Sequence, residues 1–239
     1  MPLSNSQLSA LSNFGISALN PMQEEALTAI HSPSATIIIA PTGSGKTLAF
    51  LLPMAELLKK EEKRIQCIIL APTRELAIQI EQVWKKMGTG YKVNAFYGGH
   101  SMRVEKQNLS EPPAVLIGTP GRIADHLTRR TLDLSGVHTL ILDEFDKSLA
   151  MGFHDQMSYI IQNLRKLQTK VLVSATASID IPEFVGIENP KRIDYTDDSA
   201  SESKLIIHIV KSPSRDKMET LVDLLSHLGS SSTILFCNH

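Results

Sequence analysis

The segment from Ala40 to Thr47 reads APTGSGKT, and its residue types and spacing suit the binding of phosphate groups. Gly43 and Gly45 let the backbone approach a phosphate closely, with N–H groups pointing inward. The Lys46 ammonium can reach β- and γ-phosphates, and the Thr47 hydroxyl can bind Mg²⁺. A glycine-rich turn with a solvated lysine is the simpler alternative, but the segment joins a strand-like run to a helix-like run, as a phosphate loop does. The predicted nucleotide contacts here are Thr42, Gly43, Ser44, Gly45, Lys46 and Thr47.

Three carboxylates follow another apolar run, in the segment LILDEFDKSL. A nucleotide phosphate site needs an acid that holds Mg²⁺ and a group that orients the attacking water. Asp143, the first acid, suits the metal role together with Thr47, and Glu144 suits water activation. Acids that solvate the exit of a strand are the alternative, which the phosphate loop makes the weaker interpretation. Lys46, Asp143 and Glu144 are therefore predicted to be catalytic.

An aromatic residue, Phe145, stands between Glu144 and Asp146. Its ring is too large to lie beside Mg²⁺ without displacing bound water. If the preceding acids face a nucleotide, the chain must turn here and the ring must leave the metal site. We therefore expect Phe145 to pack against apolar neighbours such as Leu149 or Phe153 and to anchor the turn.

Two further apolar runs end in a helix cap and an arginine, in the segments PTRELA and TPGR. Thr73 and Thr119 suit the N-cap of a helix, and Pro120 suits the first helical position. The N–H groups of a helix start can hold a phosphate, with Arg74 or Arg122 close by. Two such helix starts on one rim would hold two phosphates of a nucleic acid strand without reading its bases. Each segment taken alone could equally be an ordinary capped helix.

The elements that position these residues are short, near-continuously apolar runs, which are typical of strands covered on both faces. The predicted strands are Thr36–Ala40, Cys67–Ala71, Val93–Phe96, Ala114–Ile117, Thr139–Asp143 and Lys170–Ser174. The helix-like segments between them are Thr47–Lys60, Arg74–Met87, Arg103–Leu109, Arg122–Arg129 and Phe153–Leu167. This alternation predicts an α/β fold with a mostly parallel central sheet and helices on both faces. Ligands bind at the carboxyl ends of such strands, where the candidate residues stand.

Length and composition are those of a globular protein with one full domain and part of another: 239 residues, 42% of them hydrophobic. The net charge of −1 arises from 24 basic and 25 acidic residues, so any face that binds nucleic acid must be local. The apolar runs are too short to span a bilayer, and the first residues lack a signal-peptide pattern. Cys67 and Cys237 stand far apart in apolar runs and predict buried thiols in a reducing compartment. We expect a cytoplasmic monomer without membrane association, and no metal bound by histidine.

These motifs resemble, in their order, those of the DEAD-box ATP-dependent RNA helicases, from the first RecA-like P-loop domain into the second. The segments similar to motifs I, Ia, Ib and II are Ala40–Thr47, Pro72–Ala77, Thr119–Arg122 and Asp143–Asp146. The segments similar to the Q motif, the glycine pair, motif III and motif IV are Asn20–Gln23, Gly98–Gly99, Ser174–Thr176 and Ile234–Asn238. The resemblance covers nearly the whole chain. A single short motif arises by chance, but this many in one order at strand ends do not.

The resemblance implies ATP or ADP as the ligand, Mg²⁺ as its metal and RNA as a partner held by its backbone. It also implies that Gln23 reads the adenine edge, and that Ser174 and Thr176 couple the nucleotide site to closure on RNA through Asp146. The implied activity is ATP binding and hydrolysis coupled to the local separation of RNA duplexes. The implied RNA contacts are Pro72, Thr73, Arg74, Gly98, Gly99, Thr119, Gly121 and Arg122.

A polar, acidic stretch, DYTDDSASES, begins at Asp194 and predicts a linker. We expect a RecA-like ATP-binding domain over residues 1–195, a linker over 196–204, and the truncated start of a second RecA-like domain over 205–239. In that last part, strand-like runs at Leu205–Val210 and Thr233–Cys237 flank a helix-like run at Arg215–Leu228. A fragment cut here is expected to be nearly inactive alone, because the motifs that complete the site would lie beyond His239.

The chain departs from the family pattern in two places. Phe145 replaces the alanine of motif II, and the aromatic that usually stacks on adenine would precede Met1 or be Leu3. Two other functions therefore stay open: an ATP-gated RNA clamp whose hydrolysis is vestigial, and a DNA-directed translocase of the same superfamily. The intact Lys46, Asp143 and Glu144 speak against the vestigial clamp.

Overall fold

The computed structural model describes residues 3–31, 35–177, 180–196, 206, 208–213 and 215–236. The chain divides into two compact units, Met1–Ser199 and Ala200–His239. The boundary falls within the predicted linker, of which only Thr196 is described. Across the described ranges, every helix is too short or too polar to cross a membrane.

The first unit is built around one parallel sheet. Its strands are β1 (Ala35–Ile39), β2 (Cys67–Leu70), β3 (Val93–Phe96), β4 (Val115–Gly118), β5 (Thr139–Leu142), β6 (Thr169–Ser174) and β7 (Lys191–Asp194). They lie in the order β3-β4-β2-β5-β6-β1-β7, and the pairings are all parallel. Parallel neighbours require crossover connections, so the carboxyl ends of the strands meet at one edge of the sheet.

Helices α1 (Asn5–Asn13) and α2 (Pro21–Ile30) precede the first strand. The helices of the crossovers are α3 (Lys46–Glu56), α4 (Arg74–Met87), α5 (Met102–Asn108), α6 (Pro120–Thr128), α7 (Phe145–Ala150) and α8 (His154–Gln162), with a 3₁₀ turn at Glu183–Val185. Two separate apolar cores result, because successive side chains of a strand point to opposite faces. Ile38 of β1 belongs to the core that contains Phe50 and Trp84, whereas Ile37 and Ile39 belong to the other core. This two-sided burial explains why the strands read as continuous apolar runs.

The strands and helices predicted for this unit are confirmed, with ends that differ by a few residues. The predicted helix Thr47–Lys60 ends at Glu56, because the buried Gln66 amide bonds both the N–H and the C=O of Lys59 at 2.8 Å. Helices α1 and α2 were not predicted, although each begins with a capping box, Ser4 with Gln7 and Asn20 with Gln23. Helix α7 and strand β7 are too short to show a periodic pattern.

The second unit contains helix α9 (Met218–Leu228), which confirms most of the helix predicted at Arg215–Leu228. Neither predicted strand of this unit forms among its described residues, 206, 208–210 and 231–236. A strand depends on backbone hydrogen bonds to a neighbour, and Ile209 and Phe236 are 85% and 91% exposed. Leu205, Ile207 and Cys237 lie outside the described residues.

Candidate functional site

The glycine loop joins β1 to α3 at the carboxyl edge of the sheet. Gly43 and Gly45 have φ of +84° and +89°, a left-handed conformation that favours glycine. Helix α3 begins directly after the loop, at Lys46, so its first N–H groups face the predicted phosphate position. A Cβ added to Gly45 would lie 2.6 Å from Nε2 of Gln23, so a side chain here would displace the Gln23 amide. The local geometry is that of a phosphate-binding loop.

The Lys46 ammonium lies within the loop that it is predicted to serve. Nζ donates to the carbonyl oxygens of Ala40 and Pro41, at 2.5 and 2.8 Å. Burial lowers the pKa of Lys46, and the charges of Asp143 and Glu144 oppose that shift. The two predicted parts of the site are therefore close enough to interact electrostatically. When a γ-phosphate binds, Lys46 could bond its charged oxygens in place of these carbonyls, and such hydrogen bonds are stronger.

The Q-motif residues hold the other side of the loop. Nε2 of Gln23 donates to the carbonyl of Gly45 at 3.2 Å, and its Oε1 accepts from the backbone N–H of Asn20 at 3.1 Å. Nδ2 of Asn20 donates to the carbonyl of Ser44 at 3.0 Å. Both amides thus tie the start of α2 to the loop, and adenine reading by Gln23 stays a prediction. Asn20 was not predicted as a site residue, although its capping-box spacing to Gln23 marked it.

Asp143 follows β5 and is only 4% exposed. Burial raises the pKa of its carboxyl to about 7, while a hydrogen bond from the backbone N–H of Glu144 lowers it. Glu144 is the N-cap of α7 and has φ of +46° and ψ of +50°. This left-handed conformation is uncommon for a residue with a Cβ and is typical of constrained functional positions. The Glu144 carboxylate accepts from Nζ of Lys147 at 2.7 Å, and this hydrogen bond raises the pKa of Lys147.

The expected link between motif II and motif III is a direct contact. Oγ1 of Thr176 donates to Oδ2 of Asp146 at 3.1 Å. The Ser174 hydroxyl accepts from the backbone N–H of Thr176 at 3.0 Å and fixes the turn that presents this threonine. Oδ1 of Asp146 is buried and has no hydrogen-bond partner among the described residues. The turn after β6 is thereby connected to α7.

Phe145 occupies the position expected for it. The side chain is fully buried and belongs to the same apolar core as Leu149 and Phe153. Helix α7 starts at Phe145, so the chain turns directly after Glu144. The prediction that the ring packs with these apolar neighbours is confirmed, whereas its role as an anchor of the turn stays a prediction.

The predicted RNA-binding residues lie along the same edge, after β2, β3 and β4. Thr73 caps α4, and its hydroxyl accepts from the N–H of Leu76 at 3.2 Å. The exposed Arg74 guanidinium lies over the ring of Tyr97, 5.7 Å from its centroid. Thr119 is the N-cap of α6, but its side chain makes no capping hydrogen bond. The rim therefore brings two helix starts and the glycine pair after β3 together.

Arg122 is engaged differently from the expectation. Its side chain is only 13% exposed, and Nε donates to Oε2 of Glu105 at 2.7 Å. Nη2 donates to the carbonyl of His100 at 2.7 Å. Sequence reasoning missed Glu105, because a glutamate in a short polar segment gives no signal of burial.

A parallel sheet whose carboxyl edge carries a glycine loop, a buried aspartate and a Ser-Ala-Thr turn defines a RecA-like P-loop domain. A family profile described as DEAD/DEAH box helicase matches residues 20–184, so the chain belongs to that family. ATP-dependent RNA helicase DbpA of Bacillus subtilis is 31% identical over 98% of this chain and 50% of its own length. DEAD-box ATP-dependent RNA helicase CshA of the same species is 33% identical, over 98% and 48%.

A solved structure also resembles this chain in its fold. The crystal structure of a hypothetical ATP-dependent RNA helicase from Sulfolobus tokodaii has a TM-score of 0.73 and 26% identity to this chain. The similarity covers 81% of this chain and 57% of that one. The chain spans about half the length of the curated relatives it matches.

Proposed function

We propose that this chain is the ATP-binding part of a DEAD-box RNA helicase, which couples ATP binding and hydrolysis to RNA binding and local duplex separation. The observation that carries the proposal is the meeting of the glycine loop with Asp143 and Glu144, whose charges act on Lys46. The family match and the names of the relatives support the same activity. The monomeric state and cytoplasmic location stay predictions.

The donor set at this edge fits a magnesium ion. Mg²⁺ is held in nucleotide sites by one or two protein oxygens together with phosphates and waters, and the Thr47 hydroxyl and the Asp143 carboxylate are oxygen donors of that kind. The buried Asp143 carboxylate also gains from a cation, because a charged form in the interior is otherwise disfavoured. When bound, the metal would neutralise charge on the β- and γ-phosphates.

The chain's own residues divide the remaining work. Lys46 holds the β- and γ-phosphates, and the backbone of Thr42, Gly43, Ser44 and Gly45 surrounds them. Glu144 orients the attacking water and accepts its proton. Through its hydrogen bond to Asp146, Thr176 couples the nucleotide site to the RNA-binding rim. Positive charge for the transferred phosphoryl group is supplied from outside the first unit.

RNA is held along the rim by its backbone. The N–H groups at the starts of α4 and α6, the glycine pair and the exposed Arg74 bind successive phosphates without contacting base edges. The proposed contacts are Pro72, Thr73, Arg74, Gly98, Gly99, Thr119, Gly121 and Arg122, of which Arg122 also bonds Glu105 and His100. A few local positive charges suffice to hold the RNA backbone, so the net charge of −1 is compatible with this binding.

The test is the stimulation of ATP hydrolysis in the full-length protein by RNA and by DNA of the same length. RNA-specific stimulation with duplex separation supports the helicase. ATP-dependent RNA binding with no turnover would favour the clamp, and equal or stronger stimulation by DNA would favour the translocase.

A further inference from the structure

Helix α5 has one buried side chain, and that side chain is a glutamate. Glu105 is fully buried, although its immediate neighbours Val104 and Lys106 are exposed. An ionised carboxylate in a protein interior is strongly disfavoured unless a cation or hydrogen bonds compensate it. An apolar residue would anchor a short surface helix without that cost. The buried glutamate therefore indicates that its carboxylate makes specific polar contacts at this position.

The Glu105 carboxylate lies among side chains from helix α6 and from the turn after β3. Oε2 accepts from Nε of Arg122 at 2.7 Å and from Nε2 of His126 at 2.9 Å. The His126 ring stacks on Phe96, the last residue of β3, with centroids 4.9 Å apart. Oε1 lies 3.6 Å from Nδ1 of His100 and has no hydrogen-bond partner among the described residues. The end of β3, the start of α5 and helix α6 are thus joined at one side chain.

Arg122 completes this connection, and its Nε and Nη2 donors are engaged in it. Its guanidinium bonds Glu105 on one side and the carbonyl of His100 on the other, and Nη1 lies 3.7 Å from Asp125. With 13% of the side chain exposed and its charge matched by Glu105, it adds little to the attraction of a phosphate. Its hydrogen bonds instead fix the glycine-pair turn, Gly98–His100, against the first turn of α6.

We propose that Glu105 and Arg122 form a positioning pair that sets the separation between the glycine-pair turn and the start of α6, and with it the spacing of the RNA phosphates. The inference rests on the proposed binding of RNA along this rim. Arg122 then acts on RNA through the backbone that it orders, without contacting a phosphate. Thr119, whose hydroxyl makes no capping hydrogen bond, is available to bind the phosphate at α6.

Two substitutions of Arg122 separate this role from direct phosphate binding. Lysine keeps the positive charge that a phosphate needs, but it cannot bond Glu105 and His100 together as a guanidinium does. Arg122→Lys should therefore weaken binding of a short fluorescein-labelled oligouridylate about tenfold, as much as Arg122→Met does. The measurement uses the full-length protein with a non-hydrolysable ATP analogue, and affinities are corrected for the folded fraction.

Salt dependence gives a second readout. A lysine or arginine that neutralises a phosphate of single-stranded nucleic acid contributes about 0.7 to the slope of log K against log salt. Arg122→Met should lower the affinity without changing that slope. Glu105→Ala should weaken RNA binding like the Arg122 variants, whereas Glu105→Gln should restore most of it, since a side-chain amide can still accept from Nε of Arg122. The affinity for ADP should stay unchanged in every variant.

Arg129 provides the matched control on the same helix. It pairs with Asp125 at 2.6 Å on the exposed surface near the end of α6, and Arg129→Lys should leave RNA affinity unchanged.

The proposal fails if Arg122→Lys keeps the RNA affinity that Arg122→Met loses, or if the salt slope falls by the value for one phosphate. A parallel loss of ADP affinity would show general destabilisation and would also overturn it. If Glu105→Ala does not fold, the two Arg122 variants decide the question alone. If the wild-type protein binds RNA but its ATP hydrolysis is not stimulated by RNA, the proposed function is contradicted. The positioning pair would then still be supported.

Discussion

Asp143 combines a negative charge with nearly complete burial, and this makes the stability of the protein depend on pH. Burial raises its pKa to about 7, so the folded protein keeps this proton at pH values where the unfolded chain has lost it. Stability from this group is therefore present below about pH 4 and is lost as the pH rises toward 7. A residue suited to hold a metal ion thus weakens the metal-free fold at neutral pH.

Asp143→Asn should stabilise the metal-free protein at pH 8, by at most about 4 kcal/mol, because an amide keeps the shape without the charge. The gain in melting temperature should shrink as the pH falls toward 5. Thermal melts over this range in the presence of a chelator test it. Asp155→Asn, at a fully exposed side chain, provides the same chemical change without burial. A variant less stable than the wild type at pH 8 would contradict the expectation.

Lys46→Ala should weaken ADP and ATP binding by about 10–100-fold, because charge-assisted hydrogen bonds to phosphate oxygens are lost. The fold should remain intact, since the ammonium lies in a loop outside both apolar cores. Calorimetric titration of the full-length protein measures the affinity. Wild-type affinity in a folded variant would remove the phosphate-loop assignment.

Phe145 and Glu144 are neighbours with opposite roles, and their substitution separates packing from chemistry. Phe145→Ala should cost about 3–5 kcal/mol of unfolding free energy, because the ring is fully buried. Its turnover per folded molecule should change less than about tenfold. Glu144→Gln should leave ATP binding nearly unchanged and abolish most hydrolysis. Equal loss of turnover in both variants, at matched folded fraction, would place the aromatic in the catalytic machinery.

At the scale of elements, the start of α2 and the loop before α3 form one joint. The Gln23 amide reaches the carbonyl of Gly45, and a Cβ on Gly45 would meet that amide at 2.6 Å. Gly43 has almost the same φ, but a Cβ there would meet no atom within 4 Å. The two glycines therefore share a left-handed backbone and differ in their contact with the Q motif.

Gly45→Ala and Gly43→Ala should each cost about 1–3 kcal/mol from the left-handed backbone. Gly45→Ala should cost more, because the added methyl displaces the Gln23 amide. In a Gln23→Ala background the two substitutions should become equal. Urea unfolding of the four combinations forms the cycle that measures this contact. An equal cost in the wild-type background would mean that the joint is not stabilising.

At the scale of the whole molecule, the predicted nucleotide contacts and acids all lie in the first unit. In the proposed hydrolysis, the transferred phosphoryl group needs additional positive charge, which an arginine finger can supply with a contribution of about 10³–10⁵ in rate. We therefore expect the first unit to bind the nucleotide without completing the transition state.

Residues 1–239 alone should therefore bind ADP or ATP weakly and hydrolyse almost none, with or without RNA. A coupled-enzyme assay of this segment beside the full-length protein measures the difference. Robust RNA-stimulated turnover by the segment would show that its own residues complete the site.

The sequence alone determined the features that arise within a few residues of chain. Continuous apolar runs required strands buried on both faces, Gly43 and Gly45 required a tight loop before a helix, and the order of the motifs indicated the family. Parallel strands then placed the motifs on one edge, because their carboxyl ends have no other arrangement.

Only the tertiary structure decided how the polar groups pair. Gln23 bonds Gly45, although the two residues are far apart in the chain. Asp143 is buried by the packing of other elements, and this burial raises its pKa. The enclosure of Glu105 by Arg122 and His126 is of the same kind. Such pairs follow no periodicity in the sequence, because a glutamate or an arginine is equally compatible with solvent, and its partner is chosen by the packing of other elements. For that reason the sequence could not show that Arg122, a predicted RNA contact, pairs with Glu105.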